Sequence, residues 1–354
     1  MEIRDLLLMT KKMEASDLHI TAGIPPILRI HGELKRLEGD PLTPADTEKL
    51  VYSLFEEDAL KERFEADGEV DFAYGKPSIG RYRVNAYRQR GTCALALRNV
   101  ATNIPTMETL GLPSEILKDL SQNTRGLVLV TGPTGSGKST TLATMIDYIN
   151  QTRRCHILTL EDPIEYLHKH NKSIVNQREI GIDTKDYAVA LRAALREDPD
   201  VILVGEMRDT ETIATAITAA ETGHLVLSTL HTLGASQTID RIIDVFPTAQ
   251  QEQIRVQLAN LLQGVMSQQL LTHIDGNGRS VAYEIMLATS AISNLIREGK
   301  SYQISSHIQT SGKIGMQTMD SGLIKLYKKG KITLEQVLKH AFAPREVKRM
   351  LNLL

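Results

Sequence analysis

The chain of 354 residues has no tryptophan, two cysteines and only 4% aromatic residues. Two thiols, Cys93 and Cys155, cannot assemble a four-cysteine zinc site, and two isolated thiols read as reduced core residues. So few rings leave little for stacking bases. A net charge of −2 and a pI of about 6.6 give no basic excess for a phosphate backbone or an acidic membrane. The longest apolar stretches, such as "GLVLV" and "DVILVGE", are too short to span a bilayer. Charges run through "MEIRDLLLMTKKMEASD", which argues against a signal peptide and predicts a cytoplasmic protein. There is no internal repeat and no low-complexity segment. What is present, 42% hydrophobic and 24% charged residues, is ordinary soluble globular composition. The length suggests two domains.

Residues 1–105 read as a small α+β domain. "DLLLMTKKM" repeats apolar residues at helical spacing. "PPILRIHGEL" and "RYRVNAYRQRGTCALALRNV" alternate with period two, as strands of an antiparallel sheet do. "ATNIPTMETLGLP" has the Pro, Gly and Asn punctuation of a linker, placed at 106–113. From residue 114 to 354 the pattern is different. Continuous apolar runs, "GLVLVTG", "HILTLED", "DVILVGE" and "HLVLSTL", alternate with helical segments such as "STTLATMIDYINQ", "YAVALRAALRED" and "TETIATAITAAETG". Buried strands separated by helices predict βαβ units and a parallel sheet covered on both faces. After Glu284 the sequence reads as mainly helical.

"GPTGSGKST" (residues 132–140) matches G-x-x-x-x-G-K-[ST] between a predicted strand and a predicted helix, the context that motif requires. Its glycines let the backbone curl so that the N–H groups of Pro133-Thr134-Gly135-Ser136-Gly137-Lys138-Ser139-Thr140, proline excepted, can face phosphates at a helix N-terminus. Lys138 is placed to reach the β- and γ-phosphates of ATP, and Ser139 to ligate Mg²⁺. Hydrolysis also needs carboxylates for water and metal. "LEDPIEY" supplies Glu161, Asp162 and Glu165, and "VGEMRD" supplies Glu206, both clusters at the carboxyl ends of strands, where open α/β sheets bind ligands. Gly205 stands where the usual pattern has an aspartate. The P-loop domain is read as adding no cation beyond Lys138 at the transition state, so a further arginine is expected from another domain or subunit.

"AETGHLVLSTLHT" carries a histidine at each end of an apolar run. Seven residues of strand separate His224 from His231 by roughly 23 Å, so both cannot touch one phosphate. His231 falls on the nucleotide side. His224 needs another role, in the fold or at a subunit contact.

Taken together, "GPTGSGKST", "LEDPIEY", "ALREDPDVILVGEMRD" and "AETGHLVLSTLHT" resemble the Walker A, Asp, Walker B and His boxes of the type II/IV secretion ATPase superfamily. "ASDLHI", "GRYRVNAY", "NLIRE" and "GMQTMD" are similar to its pilus-retraction branch. The resemblance implies an N-terminal PAS-like α+β domain joined to a RecA-like P-loop ATPase domain with a helical C-terminal part. It implies a homohexamer at the cytoplasmic face of the inner membrane that works on a platform protein of the type IV pilus machine and drives pilus disassembly and twitching. Membrane association would then be peripheral, through partners, and no nucleic acid is expected. Residue by residue, it makes Glu165 the catalytic base, with Glu161 the alternative, Glu206 the Walker B acid and metal-side carboxylate with Ser139, and His231 the γ-phosphate sensor. Arg83 and Arg98, with Arg81 beside them, match N-terminal-domain arginines that reach the nucleotide. "AISNLIREGK" (residues 291–300) resembles a motion-transmitting motif of the branch, with Ser293 in place of an arginine; Ala291, Ile292, Leu295 and Ile296 share its candidate buried face. Extension and secretion ATPases of the superfamily usually add a longer N-terminal region and a four-cysteine motif, so retraction is favoured over them. A RecA-like nucleic-acid motor and a nucleotide-binding assembly protein with negligible turnover are the readings from other classes.

Overall fold

The computed structural model describes residues 2–30, 32–77 and 79–353; His31, within the "PPILRIHGEL" run, lies outside them. The fold class is α/β. The chain divides into two compact units, Met1–Thr102 and Asn103–Leu354.

In the first unit six strands form one antiparallel sheet: β1 Asp17–Ile20, β2 Ile27–Ile30, β3 Glu33–Arg36, β4 Glu69–Lys76, β5 Gly80–Gln89 and β6 Thr92–Asn99. Their order is β3-β2-β1-β6-β5-β4. The alternation in "RYRVNAYRQ" is that of a half-buried strand. Tyr82, Val84 and Ala86 are fully buried, while Arg81, Arg83 and Asn85 occupy the other face. The helix Ile3–Lys12 packs Leu6 and Leu7 onto the same core, and the Tyr82 hydroxyl donates to the Leu7 carbonyl at 2.9 Å.

The second unit is built on a seven-stranded sheet: β7 Gly126–Thr131, β8 His156–Glu161, β9 Ile174–Glu179, β10 Val201–Val204, β11 Leu225–Leu230, β12 Leu262–Thr272 and β13 Arg279–Leu287. The order is β13-β12-β7-β11-β10-β8-β9, parallel except for the β12–β13 pair. Strands β7, β10 and β11 are buried at every residue, which is why their sequences run apolar instead of alternating. Separate clusters of buried residues cover the two faces of the sheet. Met107 and Leu112, within the stretch punctuated as a linker, are buried in the second of these clusters.

Register aligns the strand ends that matter. Val204 pairs with Leu160 and with Ser228, and Leu230 pairs with Thr131. The segments after β7, β8, β10 and β11 therefore emerge along one edge of the sheet. Beyond β13 the chain is helical, beginning with Ser290–Arg297. There Ile292 and Ile296 are buried, Leu295 is half-buried and Ala291 is exposed, so the buried stripe is narrower than the one spacing suggested. Among the described residues no helix is long and apolar enough to cross a membrane.

Candidate active site

A cleft of about 520 Å³ opens along that edge, lined by the phosphate loop, the Asp-box segment, Glu206, Arg208 and His231. The loop needs its glycines for stated reasons. Gly135 and Gly137 have φ of 78° and 89°, a region side chains avoid. A Cβ on Gly132 would lie 2.3 Å from the Gln268 carbonyl oxygen of β12. Thr134, Gly135, Gly137, Lys138, Ser139 and Thr140 line the cleft; Pro133 and Ser136 do not. Ser136 is buried beneath the loop, and its N–H donates to the Pro133 carbonyl.

Lys138 opens the helix Lys138–Thr152 and is 9% exposed. Its Nζ donates to the carbonyls of Gly132 at 2.9 Å and Pro133 at 3.1 Å. Burial draws its pKa down, against the opposing pull of Glu206 and Glu165.

The four candidate acids have different surroundings. Glu161 is half-buried at the end of β8; its Oε1 accepts from Thr159 Oγ1 at 2.6 Å and Gln177 Nε2 at 3.0 Å. Burial pushes its carboxyl above the usual range despite those bonds, and the charge of Glu165 adds to the rise. Glu206 follows β10 with its side chain 12% exposed, held at Oε1 by Arg208 Nη2 at 2.5 Å and at Oε2 by His231 Nε2 at 3.3 Å. Glu165 and Asp162 are exposed in the cleft, and among the described residues no hydrogen bond engages the Glu165 carboxylate.

Arg208 and Arg279 correct one expectation. Lys138 is not the only cation the second unit brings to the cleft, since both arginines line it. Arg208 lies inside "VGEMRD", but no spacing rule marks it. Gly205 also finds its reason here. A Cβ at Gly205 would stand 2.7 Å from the Tyr187 hydroxyl and 3.1 Å from the Leu160 carbonyl oxygen, so the aspartate of the usual pattern would require Tyr187 to shift. Burial raises the Tyr187 pKa, and Glu206, Asp162 and Glu161 raise it further.

The two histidines separate as strand length requires. They flank the six-residue strand β11. His231 is exposed beside Glu206. His224 caps the helix Thr210–Glu221: its N–H and Nδ1 meet the Ala219 carbonyl at 3.2 and 2.8 Å, groups that a helix C-terminus leaves open.

Arg83 and Arg98 are register partners on β5 and β6 of the first unit. Like charges placed directly opposite repel. Asp17 offsets this by accepting from Arg98 Nε at 2.9 Å. Burial pushes the Asp17 carboxyl up, but hydrogen bonds from Arg98 and Ser16 outweigh it and hold the pKa below the usual value. Arg81 is half-buried on the same strand as Arg83.

His168 lines the cleft with Nδ1 buried and, among the described residues, without a hydrogen-bond partner, and burial pulls its pKa down to about 4. Between pH 6.5 and about 4 the unfolded chain therefore binds a proton that the folded one refuses. This contribution to stability is intact above pH 6.5 and falls as pH drops through that window, by up to about 3 kcal/mol. His168→Phe should lose less stability than the wild type between pH 7 and 5 in denaturant titrations. An equal loss would remove His168 as the cause.

Residues 10–339 match the family described as type II/IV secretion system protein. The chain is 50% identical to the type IV pilus retractation ATPase PilT of Pseudomonas aeruginosa, over 97% of this chain and 99% of that one. It is 48% identical to a twitching motility protein of Neisseria gonorrhoeae, over 89% of this chain and 84% of that one. A crystal structure of the pilus retraction motor PilT with bound ADP matches with a TM-score of 0.91 at 54% identity, covering 99% of this chain and 100% of that one. With its four boxes gathered along one sheet edge, the chain belongs to the type II/IV secretion system protein family.

Proposed function

We propose that this chain is the ATP-hydrolysing motor of type IV pilus retraction, acting as a homohexamer at the cytoplasmic face of the inner membrane on a platform protein of the pilus machine. The observation that carries the chemistry is the cleft. It sets a phosphate loop, an open carboxylate at Glu165, and a carboxylate at Glu206 tied to both His231 and Arg208 along one sheet edge. The cellular role rests on likeness to retraction and twitching proteins over nearly the whole chain.

Mg²⁺ fits the donor set. Among the described residues no cluster of three or more His, Cys, Asp or Glu could hold a metal alone. Mg²⁺ keeps waters and takes one or two protein oxygens besides phosphate; the Ser139 hydroxyl would supply one, with Glu206 on the metal side. Such an ion would neutralise charge on the β- and γ-phosphates. Glu206, both oxygens engaged, suits a water-mediated hold. Lys138 and the loop N–H groups bind phosphate, Glu165 takes the proton of the attacking water, and His231 reports on the γ-phosphate through its bond to Glu206. Arg83 and Arg98 add positive charge from the first unit of the same or a neighbouring copy. The helix Ser290–Arg297 passes motion onward.

A strain lacking the protein should keep its surface pili, lose retraction and fail to twitch. Complementation by Arg83→Ala or Arg98→Ala should leave the defect, while those purified variants still assemble and hydrolyse ATP poorly. A deletion strain without pili would favour an extension role instead. Normal hydrolysis in both variants would remove the arginines from the site.

A further inference from the structure

Gln177 lies on β9, opposite Thr159 of β8 in the parallel register. Its half-buried carboxamide makes three hydrogen bonds. Nε2 donates to the Tyr166 carbonyl at 2.9 Å and to Glu161 Oε1 at 3.0 Å, and Oε1 accepts from the His168 N–H at 2.8 Å. Two of the partners are main-chain groups, one only able to accept and the other only able to donate. They fix which way the amide faces.

These bonds bracket Glu165. Glu161 precedes it at the strand end, Tyr166 follows it directly, and His168 comes two residues later. Tyr166 in turn sets its hydroxyl 3.2 Å from Thr140 Oγ1 in the phosphate loop, and Ile164 is buried at 4% exposure. Among the described residues no hydrogen bond engages the exposed Glu165 carboxylate, while its main-chain N–H bonds the Glu161 carboxylate. The position of that carboxylate relative to the phosphate loop is therefore set by its main chain and its neighbours and not by side-chain bonds of its own. Among the described residues, Gln177 is the one side chain that holds Glu161, Tyr166 and His168 at once.

We propose that Gln177 is a positioning residue for hydrolysis: it clamps the Asp-box segment so that Glu165 stands at a fixed reach from the phosphate loop. This rests on the reading of Glu165 as the base. The role needs an amide, because the site asks for two donated protons and one accepted one. A carboxylate would face Glu161 and the Tyr166 carbonyl, repelling both.

Gln177→Met keeps length and removes all three bonds. Displacing a catalytic group by about 1 Å can cost about 10²-fold, so kcat should fall about 10- to 100-fold while KM for MgATP stays within about twofold. Gln177→Glu should be similarly slow at pH 8 and recover relative to wild type toward pH 6, as a proton restores one donor and one acceptor. If Gln177 acts through Glu165, Gln177→Met should slow the Glu165→Gln protein little further. A normal kcat in Gln177→Met overturns the proposal. So does a fully multiplicative double mutant. Should Gln177→Met fail to fold, the Gln177→Glu profile decides, and a pH-independent ratio to wild type overturns the clamp. Wild-type turnover in Glu165→Gln marks a different failure, that of the base assignment on which the clamp depends.

Discussion

Glu165→Gln should bind ATP with near wild-type affinity and turn it over roughly 10²- to 10⁴-fold more slowly, the usual worth of general-base help. The three glutamates of the cleft differ in what they have left to offer. Glu161 is half-buried, with Oε1 taken by Thr159 and Gln177. Glu206 has one oxygen on Arg208 and the other on His231. Glu165 alone of the three presents a carboxylate that no hydrogen bond engages and that solvent reaches, so its lone pairs are open to a water. The amide replacement keeps shape and removes basicity, so binding through the phosphate loop should survive. Single-turnover phosphate release, paired with a nucleotide titration, separates the two effects. Wild-type release from Glu165→Gln would pass the role to Glu161 or to Asp162, which is also exposed in the cleft.

The parts of this site legible in the sequence are those where one residue type has no substitute. The loop needs Gly135 and Gly137 at positive φ, and β7, β10 and β11 are buried throughout, so they declare themselves as glycine spacing and apolar runs. Strand β12 stayed hidden because it buries polar residues in the middle of its run. Ser267, Gln268 and Gln269 are at most 7% exposed. Each is a connector: Ser267 accepts from the Gly234 N–H, Gln268 donates to Thr141, and Gln269 bonds His340. Such residues break the pattern that a pairing strand is recognised by. Strand β9 lies at the sheet edge with an intermittent apolar pattern. Gln177, Tyr187 and Arg208 were missed for a related reason. Their roles come from what the fold sets beside them. The unexpected Gly205 was visible as an anomaly, but only the Tyr187 hydroxyl explains it.

Lys138→Ala should cost the chain most of its nucleotide affinity. Lys138 is 9% exposed and opens the helix Lys138–Thr152, so the field of the loop N–H groups and its own charge act on the same phosphates. It also stands in the field of Glu206 and Glu165, whose carboxylates raise its pKa against the pull of burial. Truncating it removes a charge-assisted phosphate contact and leaves those carboxylates facing a triphosphate with less to offset them. Removing one partner of a buried charged contact costs about 2–5 kcal/mol, or roughly 30- to 5,000-fold in Kd. Arg208 and Arg279 line the cleft as well, but Arg208 is held by Glu206, so it is not free to replace the lysine. Lys138→Arg should restore little, because a planar guanidinium does not fit where a compact ammonium meets two carbonyls 2.9 and 3.1 Å away. Calorimetric titration with ADP and Mg²⁺ measures the loss directly, with circular dichroism to establish that the variant is folded. ADP binding within twofold of the wild type in a folded Lys138→Ala protein would take the lysine out of phosphate recognition. The backbone N–H groups and the two arginines would then have to hold the nucleotide on their own.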